Sequence, residues 1–273
     1  MKPPRWIDAG GGDRCVVLLH GVSTRAEAWA PLLPLLATPR LRVLAWDLPG
    51  YDGACGDELI GFVPWCDALA RLLDAAGIDR CIVVGHSLGG MIALDFAARR
   101  PDRLDALVLA CTTPGFGTID GRRQREYLAR RLDPLAAGLG MAEIAVAEIP
   151  AMMAEPIDGA LVERHRALMA SIPPAAYAAA TRAVAGFDRR ITVPGLAMPV
   201  LCIAGAEDRL APPDLLRSMA RRAPRGRFEI LADAAHLAPF EAPGKFARLL
   251  GDFIEATAGS AGAGRHSGIA ASR

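Results

Sequence analysis

The 273-residue chain lacks a charge imbalance: 31 Lys and Arg stand against 30 Asp and Glu, a formal net charge of +1. That argues against a nucleic-acid binder or a protein held on an anionic membrane, both of which need a basic surface. Long apolar runs are also missing. No stretch of about 18 uncharged apolar residues occurs, so no membrane span is expected. Met1-Lys2-Pro3-Pro4-Arg5 is not followed by the apolar run of a secretory signal. Aromatic residues are scarce at 5%, which leaves Ala, Leu and Val to build most of the core. The six cysteines are Cys15, Cys55, Cys66, Cys81, Cys111 and Cys202, with no C-x-x-C pair and no histidine cluster beside them. That spacing argues against a structural zinc site and a disulfide framework. Several sit in apolar runs, where a thiol behaves as a small hydrophobe, so reduced core cysteines in a cytoplasmic setting are predicted. What is present is an ordinary globular balance, 52% apolar and 22% charged. The length suits one large domain or one domain with an insertion.

Short apolar runs mark strands at Cys15–Leu19, Leu41–Trp46, Cys81–Val84, Ala106–Ala110, Val200–Ala204 and Arg227–Leu231. Most show no polar alternation, the signature of strands buried on both faces of a parallel sheet. Helical patterns lie between them at Ala26–Ala37, Leu59–Ala76, Leu88–Arg100, Asp214–Arg222 and Pro243–Ala256. Strands alternating with helices predict an α/β, doubly wound, mostly parallel sheet. One stretch breaks the alternation. Between about Pro114 and Leu196 the patterns are helical only, at Arg122–Leu132, Met141–Ile149, Ile157–Ile172 and Pro174–Ala185. Residues 1–113 and 197–256 are therefore expected to form the core and 114–196 an inserted helical cap. Residues 257–273, rich in Gly, Ala and Ser, are expected to be a disordered tail.

Gly85-His86-Ser87-Leu88-Gly89-Gly90 follows one of the strands and opens a helix. A G-x-S-x-G turn in that context holds the serine in a strained conformation at the head of the sheet, beside a helix N-terminus that favours negative charge. The glycines are needed because side chains two positions either side would clash. A nucleophilic serine needs a base, and the base needs an orienting acid. Of the five histidines, His266 lies in the tail and His165 on what reads as a solvated helix face. His86 and His20 read as structural. His236 follows the last strand, where a parallel sheet places its site residues, and is the candidate base. Asp208, in Gly205-Ala206-Glu207-Asp208, is the candidate acid, with Glu207 as its competitor; Asp233 is too near His236 in sequence. The candidate oxyanion donors are the backbone amides of Leu88, after the serine, and Val22, in Leu19-His20-Gly21-Val22-Ser23.

These motifs, in the order Ser87, Asp208, His236, resemble the α/β-hydrolase superfamily. Asp47-Leu48-Pro49-Gly50-Tyr51 is similar to the family's D-x-P-G-x-G loop, and Pro101-Asp102-Arg103-Leu104 to its helix-to-strand joint. The wording around Ser87, and His236-Leu237-Ala238-Pro239-Phe240-Glu241-Ala242-Pro243, look most like capped esterases and enol-lactonases of the 3-oxoadipate type. The resemblance implies hydrolysis of a small carboxylic ester or lactone through an acyl-enzyme, without metal or organic cofactor. Two departures stand out. Asp52 replaces a usual glycine, and only Arg5–Ala9 is available as a strand before Cys15, so the usual eight-strand sheet is expected to lose its first strand.

Thioesterases, perhydrolases and carbon–carbon bond hydrolases would carry the same three residues, and ligand receptors share the fold. Trp29, Met91, Met152 and Met153 are candidate substrate-binding residues, although core packing is the commoner role for each residue of this kind. Arg122, Arg123, Arg125, Arg130 and Arg131 open the cap. They read as a solvated helix face, or as the source of a clamp on a substrate carboxylate. The partner is expected to be a small-molecule substrate, and the protein a monomer or homodimer.

Overall fold

The computed structural model describes residues 5–51, 61–118 and 120–262. Asp52, Cys55 and His266 lie outside them. In chain order the elements are β1 (Trp6–Ala9), β2 (Arg14–Leu19), α1 (Leu33–Leu36), β3 (Leu41–Trp46), α2 (Phe62–Ala75), β4 (Cys81–His86), α3 (Leu88–Arg99) and β5 (Leu104–Ala110). Four helices follow: α4 (Arg122–Ala136), α5 (Met141–Glu148), α6 (Gly159–Ala170) and α7 (Pro174–Ala185). The alternation then resumes with β6 (Val200–Gly205), α8 (Pro213–Arg222), β7 (Gly226–Leu231), α9 (Ala238–Glu241) and α10 (Pro243–Gly262).

The strands form one seven-stranded sheet in the order β1-β3-β2-β4-β5-β6-β7. All neighbours are parallel except β1, which runs antiparallel to β3 with Trp6 opposite Trp46. This is the mostly parallel α/β sheet that the apolar runs predict. Every residue of β4 and β6 is buried, which explains why these strands carry no polar alternation. Among the described residues the N-terminal segment supplies the antiparallel edge strand β1. The chain winds outward from β2 to β3 and in the opposite sense from β4 to β5. The strand order therefore reverses between β2 and β4, and a crevice opens at their carboxyl ends. The loops bearing Val22 and Ser87 leave the sheet there.

Two expected elements differ. Ala26–Ala37 forms a 3-10 turn at Ala26–Trp29 followed by the single turn α1, because Pro31 lacks the amide a continuous helix needs. At the other end, α10 runs to Gly262, past the expected start of a disordered tail at Thr257. Its extension is pinned from the core: Arg14 donates to the Ile254 carbonyl at 2.9 Å and to Thr257 Oγ1 at 3.3 Å.

The helices α4–α7 leave and rejoin the core through a paired stem. Phe116 N–H donates to Phe187 O at 2.8 Å, and Arg189 N–H to Pro114 O at 2.7 Å. The buried carboxylate of Asp95 on α3 accepts from Arg99 at 2.6 Å and from Arg189 at 2.5 Å. One charge on the core thus holds the returning segment. Among the described residues no helix is long and apolar enough to cross a membrane. Cys15, Cys66, Cys81, Cys111 and Cys202 are buried free thiols.

Candidate active site

Ser87 sits between β4 and α3 with φ 52° and ψ −116°. A side chain in that region costs on the order of 1–3 kcal/mol, so the turn must hold it there. The glycines make the turn possible. A Cβ on Gly85 would overlap the Gly89 carbonyl, and one on Gly89 would overlap the backbone of Leu19 and His20. Ser87 N–H donates to Ala110 O at 3.0 Å, and Thr112 Oγ1 donates to Ser87 O at 2.7 Å, so β5 and its following loop fix the elbow from the far side.

The loop after β7 brings His236 to Ser87, with Nε2 3.0 Å from Oγ. Its other nitrogen, Nδ1, lies 2.9 Å from Asp208 Oδ2, in the loop after β6. A carboxylate only accepts, so Nδ1 carries the proton and Nε2 is left to accept from the serine hydroxyl. Asp208 Oδ1 accepts the amides of Leu210 at 2.8 Å and Ala211 at 2.9 Å. Burial raises this carboxyl, but the His236 ring and the two amides outweigh it and hold the group below its ordinary value. The competitors are elsewhere: Glu207 is exposed, and Asp233 pairs with Lys245 at 2.5 Å.

The His236 loop is itself held from several sides. His86 Nε2 donates to His236 O at 2.7 Å. Burial, with His236 nearby, pushes the His86 ring down to about 3, so it stays neutral. The amides of His236 and Leu237 both donate to Met152 O, at 3.0 and 3.2 Å. His165 departs from the sequence reading. It is fully buried rather than solvated, donates from Nδ1 to Leu161 O at 3.0 Å, and faces the Phe240 ring at 5.1 Å. Its flanking Arg164 and Arg166 make the segment look polar, but Arg164 reaches over the Ala26–Trp29 turn to Glu27 O and α6 turns His165 inward.

The loop carrying Val22 is built by the loop after β3. His20 donates from Nδ1 to Gly21 O at 2.8 Å and accepts the Leu48 amide at Nε2 at 3.1 Å. Tyr51 donates its hydroxyl to Val22 O at 2.9 Å. Asp47 accepts from Ala26 N–H at 3.0 Å and Arg25 Nη2 at 3.1 Å. Leu88 is the first residue of α3, where an amide has no carbonyl partner within the helix.

A cavity of 260 Å³ opens over Ser87 and His236 and is lined by Val22, Met91, Met152 and Leu237 among others. Trp29 and Met153 are not on its wall. Trp29 is buried against Phe240 at 4.9 Å and Phe246 at 6.4 Å, so it packs the core. Met153 is likewise buried away from the cavity. The arginines at the start of α4 divide. Arg122 and Arg125 stay on the surface, whereas Arg123, Arg130 and Arg131 reach the cavity. Arg131 is buried, lies 3.2 Å from Glu148, and covers the Tyr127 ring at 4.1 Å. Arg130 pairs with the same carboxylate at 2.9 Å. Arg209, next to the candidate acid, also lines the cavity and went unread in the sequence.

The family model for the alpha/beta hydrolase family matches residues 16–249. The chain belongs to that family. It is 30% identical, over 92% of its length and 98% of the relative's, to a pimeloyl-[acyl-carrier protein] methyl ester esterase of Photobacterium profundum. Two other curated esterases are matched over only 44% and 60% of their lengths. Among solved structures, a thermophilic esterase from Thermogutta terrifontis superposes with a TM-score of 0.83 at 26% identity, over 93% of each chain. The enol-lactonase from Burkholderia xenovorans superposes with a TM-score of 0.82 at 25% identity, over 92% of this chain and 96% of that one.

Proposed function

We infer that this chain, an ester hydrolase, cleaves a small carboxylic ester or lactone with Ser87 as nucleophile, His236 as base and Asp208 as orienting acid. The observation that carries the reading is the unbroken relay from Ser87 Oγ through the His236 ring to Asp208, at 3.0 and 2.9 Å. His236 Nε2 takes the serine proton as Oγ bonds to the carbonyl carbon. The new negative charge on the carbonyl oxygen rests on the amides of Val22 and Leu88. Asp208 stabilises the imidazolium by accepting from Nδ1. The imidazolium then gives its Nε2 proton to the leaving alkoxide, and the acyl group stays on Ser87. A water that loses its proton to His236 releases the acid.

Residues 114–196 serve as the cap of this site, over a core of 1–113 and 197–256. The cavity lies near the lower end of small-ligand sites, roughly 300–1,000 Å³, which suits a short substrate. Four arginines line it, Arg123, Arg130, Arg131 and Arg209, against the lining carboxylate of Glu126 and the Glu148 carboxylate that pairs with Arg130 and Arg131, an excess of two positive charges. That excess favours a substrate bearing a carboxylate of its own. A screen of short esters, lactones and thioesters tests the reading, each offered with and without a free carboxylate. We expect repeated turnover of oxygen esters, loss of activity in Ser87→Ala, and a higher kcat/KM for the acids. A single slow turnover with retained product would favour a receptor instead. Equal kcat/KM values would remove the carboxylate from the account.

A further inference from the structure

We propose that Glu241 is a positioning residue that ties the Met152–Ala154 segment to the loop carrying His236 and so keeps the base in register with Ser87. The inference rests on the triad reading above. Glu241 ends the short helix α9, five residues beyond His236. One carboxylate oxygen accepts the Ala235 amide at 3.0 Å, immediately before the base. The other accepts the Ala154 amide at 2.7 Å, two residues after Met152. Met152 in turn takes both the His236 and Leu237 amides on its carbonyl. The backbone around the base is therefore closed by four hydrogen bonds across residues 152–154 and 235–241, two of them through one side chain. Glu241 is not on the cavity wall, so it acts through His236 and not on substrate.

Burial raises the Glu241 carboxyl, while the Ala154, Ala235 and Leu237 amides and the His236 ring pull the other way.

The test is steady-state p-nitrophenyl acetate hydrolysis by the full chain, with Glu241→Gln, Glu241→Asp and Ser87→Ala side by side. Glutamine keeps one acceptor and faces the other amide with a donor. We expect kcat to fall about tenfold with KM little changed. Aspartate is one methylene short and cannot reach both amides, so kcat falls likewise; this variant carries the test if the glutamine protein does not fold. The proposal is overturned if Glu241→Gln or Glu241→Asp keeps the wild-type kcat, or if the loss falls on KM with kcat unchanged. An inactive Ser87→Ala beside either result removes this inference alone. A fully active Ser87→Ala removes the triad reading and this inference with it.

Discussion

At the scale of single residues the proposed chemistry rests on three side chains, Ser87, His236 and Asp208, and their hydrogen-bond partners. Asp208 has both oxygens occupied, one by His236 and one by two amides, so the carboxylate has little freedom to turn. Asp208→Asn would present an amide donor to Nδ1 and leave the imidazole in the wrong tautomer. We expect kcat to fall roughly 10³–10⁴-fold with KM little altered, read from steady-state ester hydrolysis. A change of less than tenfold would mean that Asp208 does not orient the base. Tyr51 supports the opposite wall by donating to Val22 O. Tyr51→Phe deletes that bond and lets the proposed oxyanion amide drift. About a tenfold loss of kcat is expected, with unfolding stability lower by about 1 kcal/mol. An unchanged kcat would show that Val22 is held without it. Ser87, His236 and Asp208 were legible because each stands in a loop just after an apolar strand. Tyr51 and Glu241 were not, because their roles depend on which distant backbone atoms they meet.

At the scale of elements the site depends on how strands β2 and β4 end and on how the inserted helices are tied down. The elbow packs backbone against backbone: Gly89 lies against the carbonyls of Leu19 and His20. Gly89→Ala would force β2 and α3 apart and displace the Val22 and Leu88 amides together. A loss of both stability and activity is expected, seen as a lower urea midpoint and a lower kcat; full wild-type values would contradict the packing described. The stem of α4–α7 depends on Asp95, whose carboxylate joins α3 to Arg189. Asp95→Asn should destabilise the protein by about 1–3 kcal/mol, measured by urea denaturation. Strand positions were readable because parallel strands buried on both faces appear as unbroken apolar runs. The faces of the inserted helices were not. α6 lies between the Ala26–Trp29 turn, α5 and Phe240, so its inward side cannot be inferred from its own polar residues, and His165 reads as solvated when it is buried. Trp29 and Met153 fit the core-packing reading rather than the substrate-binding one; sequence alone does not separate the two, because apolar residues near a site look alike whether they pack the core or face the cavity.

At the scale of the whole molecule, buried neutral histidines make the fold sensitive to acid. Burial pushes His86 down to about 3 and His165 down to about 4, and also lowers His20. The unfolded chain binds protons on these rings below about pH 6.5, whereas the folded one does not until lower pH. Stability is therefore complete above pH 6.5 and declines as the pH falls towards 4. Asp208 and Asp47, whose carboxyls are lowered, lose their contributions only below about pH 4, and Glu241, raised by burial, opposes the trend slightly. His86 and His165 would each cost on the order of 2 kcal/mol at pH 5. The melting temperature should fall by roughly 5–10 °C between pH 7.5 and pH 5, followed by calorimetry. No fall would mean that these rings are protonated in the folded state. The net charge is close to zero, and among the described residues four arginines line the cavity. The central claim is that Ser87 is the nucleophile, and covalent labelling tests it most directly. The protein is treated with a fluorophosphonate, digested and mapped by mass spectrometry. The account predicts one adduct per chain, on the peptide containing Ser87, with ester hydrolysis lost in proportion. Continued hydrolysis with Ser87 unlabelled, or an adduct at another residue that abolishes activity, would contradict it.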